Sequence, residues 1–254
     1  IALLSGKPVN NPLSVNVVDL CPMSAMMDQD FLFAQRVWFL KSTPSISPMT
    51  SGGENIDIHH NEGRLYRIKP RYNKDVNNWW ISDETRYAFE FVHDPARLRV
   101  PEQRQDGAMA PVAWESAYAE TDAQLRAAVQ QHGPGSVACL LSPFDATEEI
   151  FLQAQYVRSI DPHAWLIVNS VRITGEDQVF KNPATGAVTF TIKAEKAPNR
   201  KGAEKVVAHF GGNAGTLADL QTKVRAGQIA AAVVSTDPFT PHDEADRKAI
   251  LAGI

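Results

Sequence analysis

A chain of 254 residues with 44% hydrophobic content holds enough apolar material for one large domain or two smaller ones, and it needs no covalent staples to fold. Its net charge of -4 and the lack of any basic stripe exclude a nucleic-acid surface, because phosphate recognition requires a local excess of Lys and Arg. No apolar run approaches the roughly 20 residues that span a bilayer, which excludes direct membrane insertion, and the longest runs, such as 229–234, read as buried strands. The two cysteines, Cys21 and Cys139, lie far apart without paired spacing; this argues against a disulfide framework and for a reducing compartment. The chain opens on Ile1 rather than Met, which reads as a fragment or a processed chain, since Ile1 to Leu4 is too short for a signal-peptide core.

Val15 to Cys21 is a short apolar stretch that ends in the pair Cys21-Pro22. A helix is expected over 28–40, where Phe31, Ala34 and Trp38 fall on one face, with Thr43 and Pro44 stopping it. From 45 to about 93 the texture changes to short strands and turns. Residues 55–60 and 64–69 read as a hairpin closed at Asn61-Glu62-Gly63, and a short helix is expected over 86–91. Residues 94–105, with Pro95, Pro101 and several arginines, read as an extended linker.

After Pro111 the pattern alternates between helix and strand, as a parallel sheet covered by helices requires. Helices are expected over 114–131 (ending at Gly133), 145–159, 201–210, 217–225 and 243–252. Asp145 is placed as N-cap of the second of these, with Glu148 at capping-box spacing. Strands are expected over 136–141, 165–171 and 229–235, and the stretch 178–193 is a hairpin excursion around the turn Asn182-Pro183-Ala184-Thr185-Gly186.

Elsewhere the candidate chemistry is thin. His59 and His60 are neighbours on one expected strand, so they face opposite sides and share no metal easily. Gly211-Gly212-Asn213-Ala214-Gly215 precedes a helix but lacks dinucleotide-binding spacing and follows a helix, so it reads as a helix C-cap and turn. No G-x-S-x-G elbow marks a nucleophile, and no catalytic residue is assigned. Asn199-Arg200-Lys201 reads as a solvated turn, and Cys139 as core.

The run Val17-Val18-Asp19-Leu20-Cys21-Pro22 with Ala25, Asp28 and Asp30-Phe31 resembles the end of the ferredoxin-like cluster domain in the large iron–sulfur subunit of NADH-quinone oxidoreductase, the respiratory complex I. Arg36 to Ile46, His60-Asn61-Glu62-Gly63-Arg64 and Lys69-Pro70-Arg71-Tyr72-Asn73 resemble the segment that follows it in that family. The likeness is strong over 15–93; a weaker one to the molybdopterin-oxidoreductase α/β domain covers most of the rest, including Lys181-Asn182-Pro183 and Ala197 to Gly202.

The resemblance implies an α/β fold with a small β-rich domain and a mainly parallel sheet of the molybdopterin-oxidoreductase type. It divides the chain into the helical end of a [4Fe-4S] ferredoxin-like domain (1–44), a small β-rich domain with a degenerate [4Fe-4S] site (45–95) and an incomplete α/β domain (96–254). In the family the second segment holds a [4Fe-4S] cluster through C-x2-C-x3-C-x27-C. That pattern falls here on Ser47, Thr50, Glu54 and Ser82, oxygen side chains that replace thiolate poorly, so no cluster is expected there.

Cys21 is carried over as the fourth thiolate of another [4Fe-4S] cluster, whose other ligands would come from a motif upstream in the full-length subunit; Ser24, where the family has glycine, is a departure in that turn. In molybdenum-containing relatives the metal ligand falls in the stretch matching 164–173, which has no cysteine and only Ser170 as an oxygen donor, so no molybdenum is expected. The implied function is a mainly scaffolding part of an iron–sulfur subunit that passes electrons from NADH toward quinone. It would contact other subunits of the peripheral arm through Trp38, Phe39, Trp79 and Trp80, on the cytoplasmic side of the membrane. Alternatives are a molybdopterin-type oxidoreductase of the formate dehydrogenase kind, a subunit of an NAD-linked hydrogenase, and a binding module with no redox partner.

Overall fold

The computed structural model describes residues 9–235, which fall into two compact units: Ile1–Arg97 with Ile173–Pro198, and Leu98–Arg172 with Asn199–Ile254. The expected helix over 243–252 lies outside the described residues. No helix among the described residues is long and apolar enough to cross a membrane.

The first unit is built on an antiparallel sheet of β1 (Lys41–Ile46), β2 (Asn55–Asn61) and β3 (Arg64–Pro70), in that spatial order. The expected hairpin is the β2–β3 pair. Asn61 pairs with Arg64, leaving Glu62 and Gly63 as a two-residue turn with φ of 47° and 75°, the left-handed backbone that such a tight connection needs. Ile56, Ile68 and Ile81 form the buried core under this sheet. Beyond it come two short helices, α1 (Asn16–Leu20) and α2 (Asp83–Tyr87).

The helix expected over 28–40 does not form. The segment runs through turns, Phe33 adopts a φ of 64°, and only one 3-10 turn, Val37–Phe39, closes. A helix this short draws its stability from a buried face, and here Phe33 is 91% and Trp38 73% exposed. Phe31 instead lies under the Arg67 guanidinium, 4.2 Å from its ring centroid. Pro44 does not stop a helix; it sits in β1, an edge strand, where its missing N–H costs no ladder bond. The helix expected from 86 begins earlier, because Ser82 caps α2 and Asp83 and Glu84 fill its first turn. The hairpin excursion is present as β4 (Gln178–Lys181) and β5 (Val188–Ile192).

The second unit holds a parallel sheet. Its strands are β6 (Val137–Leu141), β7 (Trp165–Val168), β8 (Ala214–Gly215) and β9 (Ala231–Val234), in the spatial order β8-β7-β6-β9. Strand β6 is buried throughout, and its alternating side chains divide the core. Val137, Cys139 and Leu141 pack with residues of α3 (Trp114–His132), α4 (Thr147–Ile160) and α5 (Arg200–Phe210), while Ala138 and Leu140 pack with α6 (Leu217–Arg225).

Asp161, fully buried, accepts the backbone N–H groups of Gly135 (2.8 Å), His163 (2.9 Å) and Val137 (3.3 Å), which ties the turn after α4 to the entry of β6. The N-cap of α4 is Ala146, not Asp145: the Glu149 carboxylate accepts the Ala146 N–H at 2.8 Å, one residue along from the expected pairing. Asp145 instead accepts from Gln153 and Ser235. The expected linker over 94–105 is partly a hairpin of β10 (Glu102–Gln105) and β11 (Ala108–Pro111), turned at Asp106 and Gly107 with φ of 51° and 86°.

Candidate functional site

The loop from Ser47 to Glu54 joins β1 to β2, and it is closed at its base by the Ser47 N–H donating to the Glu54 carbonyl at 2.8 Å. Ser47, Thr50, Glu54 and Ser82 are each 1–2% exposed. Three of them meet in one network. The Glu54 carboxylate accepts the Ser82 N–H at 3.0 Å and the Ser82 hydroxyl at 3.1 Å. The Ser82 hydroxyl in turn accepts the Thr85 N–H at 3.2 Å, capping α2. The Thr85 hydroxyl lies 2.8 Å from that of Ser47, which also accepts the Met49 N–H at 3.2 Å. The hydroxyl of Thr50 accepts the Gly52 N–H at 3.1 Å within the same loop.

Burial pushes the Glu54 carboxyl above its ordinary range. The N–H of Ser82 and the hydroxyls of Thr85 and Ser82 oppose this only in part, and the nearby negative charge of Glu84 adds to the rise. Thr85 is the member that sequence reasoning missed. Its signal was present in Ser82-Asp83-Glu84-Thr85, an N-cap followed by its N3 residue, whose N–H the Ser82 side chain must receive.

Cys21 follows α1. Backbone N–H donors, Met26 first and then Met23 and Ala25, hold its thiol below the ordinary range against the opposing effect of burial. It lines a cavity of about 630 Å³ together with Met27, Phe31, Arg36, Trp38 and Arg67.

The helix before it is fastened to α2. Asp83 accepts the Val15 N–H at 3.1 Å, the Asn16 amide donates to the Ile81 carbonyl at 2.8 Å, and Asp83 N–H donates to the Pro12 carbonyl at 2.8 Å. Arg86, 2% exposed, reaches back from α2 to the Asp19 carboxylate at 2.7 Å, and Lys69 of β3 pairs with the same carboxylate.

The remaining candidates are structural. His59 accepts from Arg67 Nε at 3.0 Å, and burial, then the charges of Arg67 and Lys69, lower its pKa; His60 bonds Thr43 at 2.9 Å. No group of three metal-capable His, Cys, Asp or Glu side chains occurs among the described residues. Cys139 is fully buried and its thiol is pushed up to about 12, as expected for core. Gly211 ends α5 with a φ of 59°, its N–H returning to the Val207 carbonyl. Arg200 pairs with Glu204 at 2.6 Å, while the Asn199 amide holds the Asp145 carbonyl at 2.9 Å. Ser170 is exposed just beyond β7.

Residues 40–90 match the model of the NADH-ubiquinone oxidoreductase NDSU1/NuoG-like 4Fe-4S domain. This segment is similar to that domain. The curated relatives agree. The chain is 38% identical over 114 residues to the mitochondrial NADH-ubiquinone oxidoreductase 78 kDa subunit of Neurospora crassa, covering 45% of this chain and 15% of that protein. It is 39% identical over 112 residues to the NADH-ubiquinone oxidoreductase 75 kDa subunit of Reclinomonas americana, covering 44% and 16%. It is 39% identical over 114 residues to the mitochondrial NADH dehydrogenase [ubiquinone] iron-sulfur protein 1 of Solanum tuberosum, covering 44% and 15%. The matched part is thus a minor share of each relative's length.

The NDSU1/NuoG-like domain is named for a 4Fe-4S group, and the residues at Ser47, Thr50, Glu54 and Ser82 do not fit one. A cubane cluster needs thiolates directed at its irons, whereas these hydroxyls and this carboxylate are directed at one another and at backbone N–H groups. Cys21 offers a single thiol, which lines a cavity and is held below its ordinary range by backbone N–H donors.

Proposed function

We propose that this chain is part of an iron–sulfur subunit of an NADH-quinone oxidoreductase that carries electrons from NADH toward quinone, and that it serves that subunit mainly as scaffold. The carrying observation is the match of residues 40–90 to the NDSU1/NuoG-like 4Fe-4S domain, with Cys21 and its lowered thiol a short way before it. In this reading Cys21 supplies one thiolate to a [4Fe-4S] cluster completed by cysteines elsewhere in the full subunit, and no cluster sits at Ser47, Thr50, Glu54 and Ser82. In this reading the chain holds the helical end of a ferredoxin-like domain over 1–44, the degenerate site over 45–95 and a molybdopterin-oxidoreductase-type α/β domain over 96–254, of which the stretch 173–198 belongs to the first compact unit. The parallel sheet in the order β8-β7-β6-β9 supports the last assignment. The stretch 164–173 offers no thiolate for molybdenum.

The partners would be other subunits of a peripheral arm on the cytoplasmic side of the membrane. The exposed Trp38, Phe39 and Trp79 support that reading, since large apolar side chains in water favour burial against a neighbour. The test is affinity purification of the tagged, full-length subunit from its own cells. Co-purification with an assembly that oxidises NADH and contains iron supports the proposal. A subunit recovered alone, or with molybdenum near one per chain, overturns it.

A further inference from the structure

An iron–sulfur cube in the 47–54 loop would do more than hold electrons. Its bonds to the loop and to position 82 would cross-link β1–β2 to the start of α2. In this chain the same cross-link is made by Glu54, which grips both the N–H and the hydroxyl of Ser82, while Thr85 joins the Ser47 hydroxyl to the first turn of α2.

Helix α2 is in turn the anchor of the helix that leads to Cys21. Its residues Asp83 and Arg86, with the adjoining Ile81, hold Val15, Asp19 and Asn16. Arg86 is almost wholly buried and also reaches the Ile68 carbonyl and Asn16 Oδ1, so a shift of α2 must be passed on to α1. A chain of buried and part-buried polar contacts therefore runs from Glu54 through Ser82 and α2 to α1, and Cys21 is the residue that directly follows α1.

We propose that Glu54 is a positioning residue for Cys21: the oxygen network at Ser47, Glu54, Ser82 and Thr85 fixes α2, and α2 fixes the helix that presents the thiol. This rests on the reading of Cys21 as a cluster ligand only for its purpose, since the positioning itself is a property of the apo chain. A site with no metal of its own then still serves a metal site, by setting where one thiolate points.

The test measures the alkylation rate of Cys21 by iodoacetamide at neutral pH in the wild type and in Glu54→Ala, Ser82→Ala and Glu54→Gln. Amide hydrogen exchange at Ser82 and Thr85 reports the state of the network, and the unreactive Cys139 reports an intact second unit. Glu54→Ala and Ser82→Ala should change the Cys21 rate at least severalfold with Cys139 still protected, and the conservative Glu54→Gln should restore it. An unchanged Cys21 rate in Glu54→Ala, with exchange showing the network open, overturns the proposal. Should Glu54→Ala not fold, the Ser82→Ala and Glu54→Gln pair decides in the same way.

In the full subunit, the electron paramagnetic resonance signal of the cluster should shift in Glu54→Ala and return in Glu54→Gln. A Cys21→Ala subunit that keeps all its iron removes the ligand reading and leaves the positioning result standing.

Discussion

Replacing Glu54 with alanine should unfold the first unit at markedly lower denaturant. The substitution strips the acceptor from two donors of Ser82, at 3.0 and 3.1 Å, in a place where Ser82 is 1% exposed and water does not substitute. Each buried donor left unpaired costs about 1–3 kcal/mol, whereas the Thr85 hydroxyl keeps Ser47 as a partner. The loss of the two is therefore about 2–6 kcal/mol, or roughly 4–24 °C in melting temperature for a chain of this size.

Glu54→Gln keeps the volume and an acceptor, and it separates packing from charge. The Glu54 carboxyl titrates above its ordinary value of 4.5 because burial disfavours the anion. A raised carboxyl pKa contributes stability that is fully present below the unfolded value and is lost as pH climbs through the folded one. The Glu54→Gln protein escapes that loss, so its stability relative to wild type should grow as pH rises from about 4.5 toward neutrality. Urea unfolding followed by the fluorescence of Trp38, Trp79 and Trp80, which lie in the first unit, measures both effects. Equal losses in both variants, or a glutamine advantage that shrinks with rising pH, would refute the reasoning.

Asp161→Ala leaves the N–H groups of Gly135, His163 and Val137 without their acceptor, and should cost about 3 kcal/mol in urea unfolding of the second unit. Gly63→Ala forces a side chain into a φ of 75° and should cost about 1–2 kcal/mol in the same assay while leaving the fold intact. Iodoacetamide at neutral pH should modify Cys21, whose thiol is lowered by backbone donors. It should spare buried Cys139, pushed up to about 12, until the chain is unfolded; mass spectrometry of the labelled peptides checks this.

The second unit was legible because its signals are strong and redundant. Strand β6 is a continuous apolar run, α3 ends at a glycine, and helix and strand alternate as a parallel sheet requires. The β2–β3 hairpin was legible from Glu62-Gly63 alone. What failed had a weaker physical basis. The spacing of Phe31, Ala34 and Trp38 mimics a helix face, yet among the described residues Ala34 and Trp38 stay exposed and Phe31 is covered only in part, under Arg67, so the periodicity had no packed face to reward it. The β10–β11 hairpin carries Glu102, Gln103, Arg104 and Gln105 with no apolar alternation, and only Asp106-Gly107 announced it. At the candidate site, the four positions came from the family pattern and not from chemistry visible in the residues. Their meeting depends on a loop and a helix cap far apart in sequence, which is why Thr85 and the grip of Arg86 on Asp19 emerged only from the structure.

On the proposed reading, hydroxyls and a carboxylate close the site at Ser47, Thr50, Glu54 and Ser82 against an iron–sulfur cube. Iron and acid-labile sulfide analysis of the 254-residue chain carrying Cys21→Ala, purified and reconstituted without air, addresses it most directly. The protein should be colourless, with no iron above the buffer control. A brown protein with four irons and four sulfides per chain would contradict it.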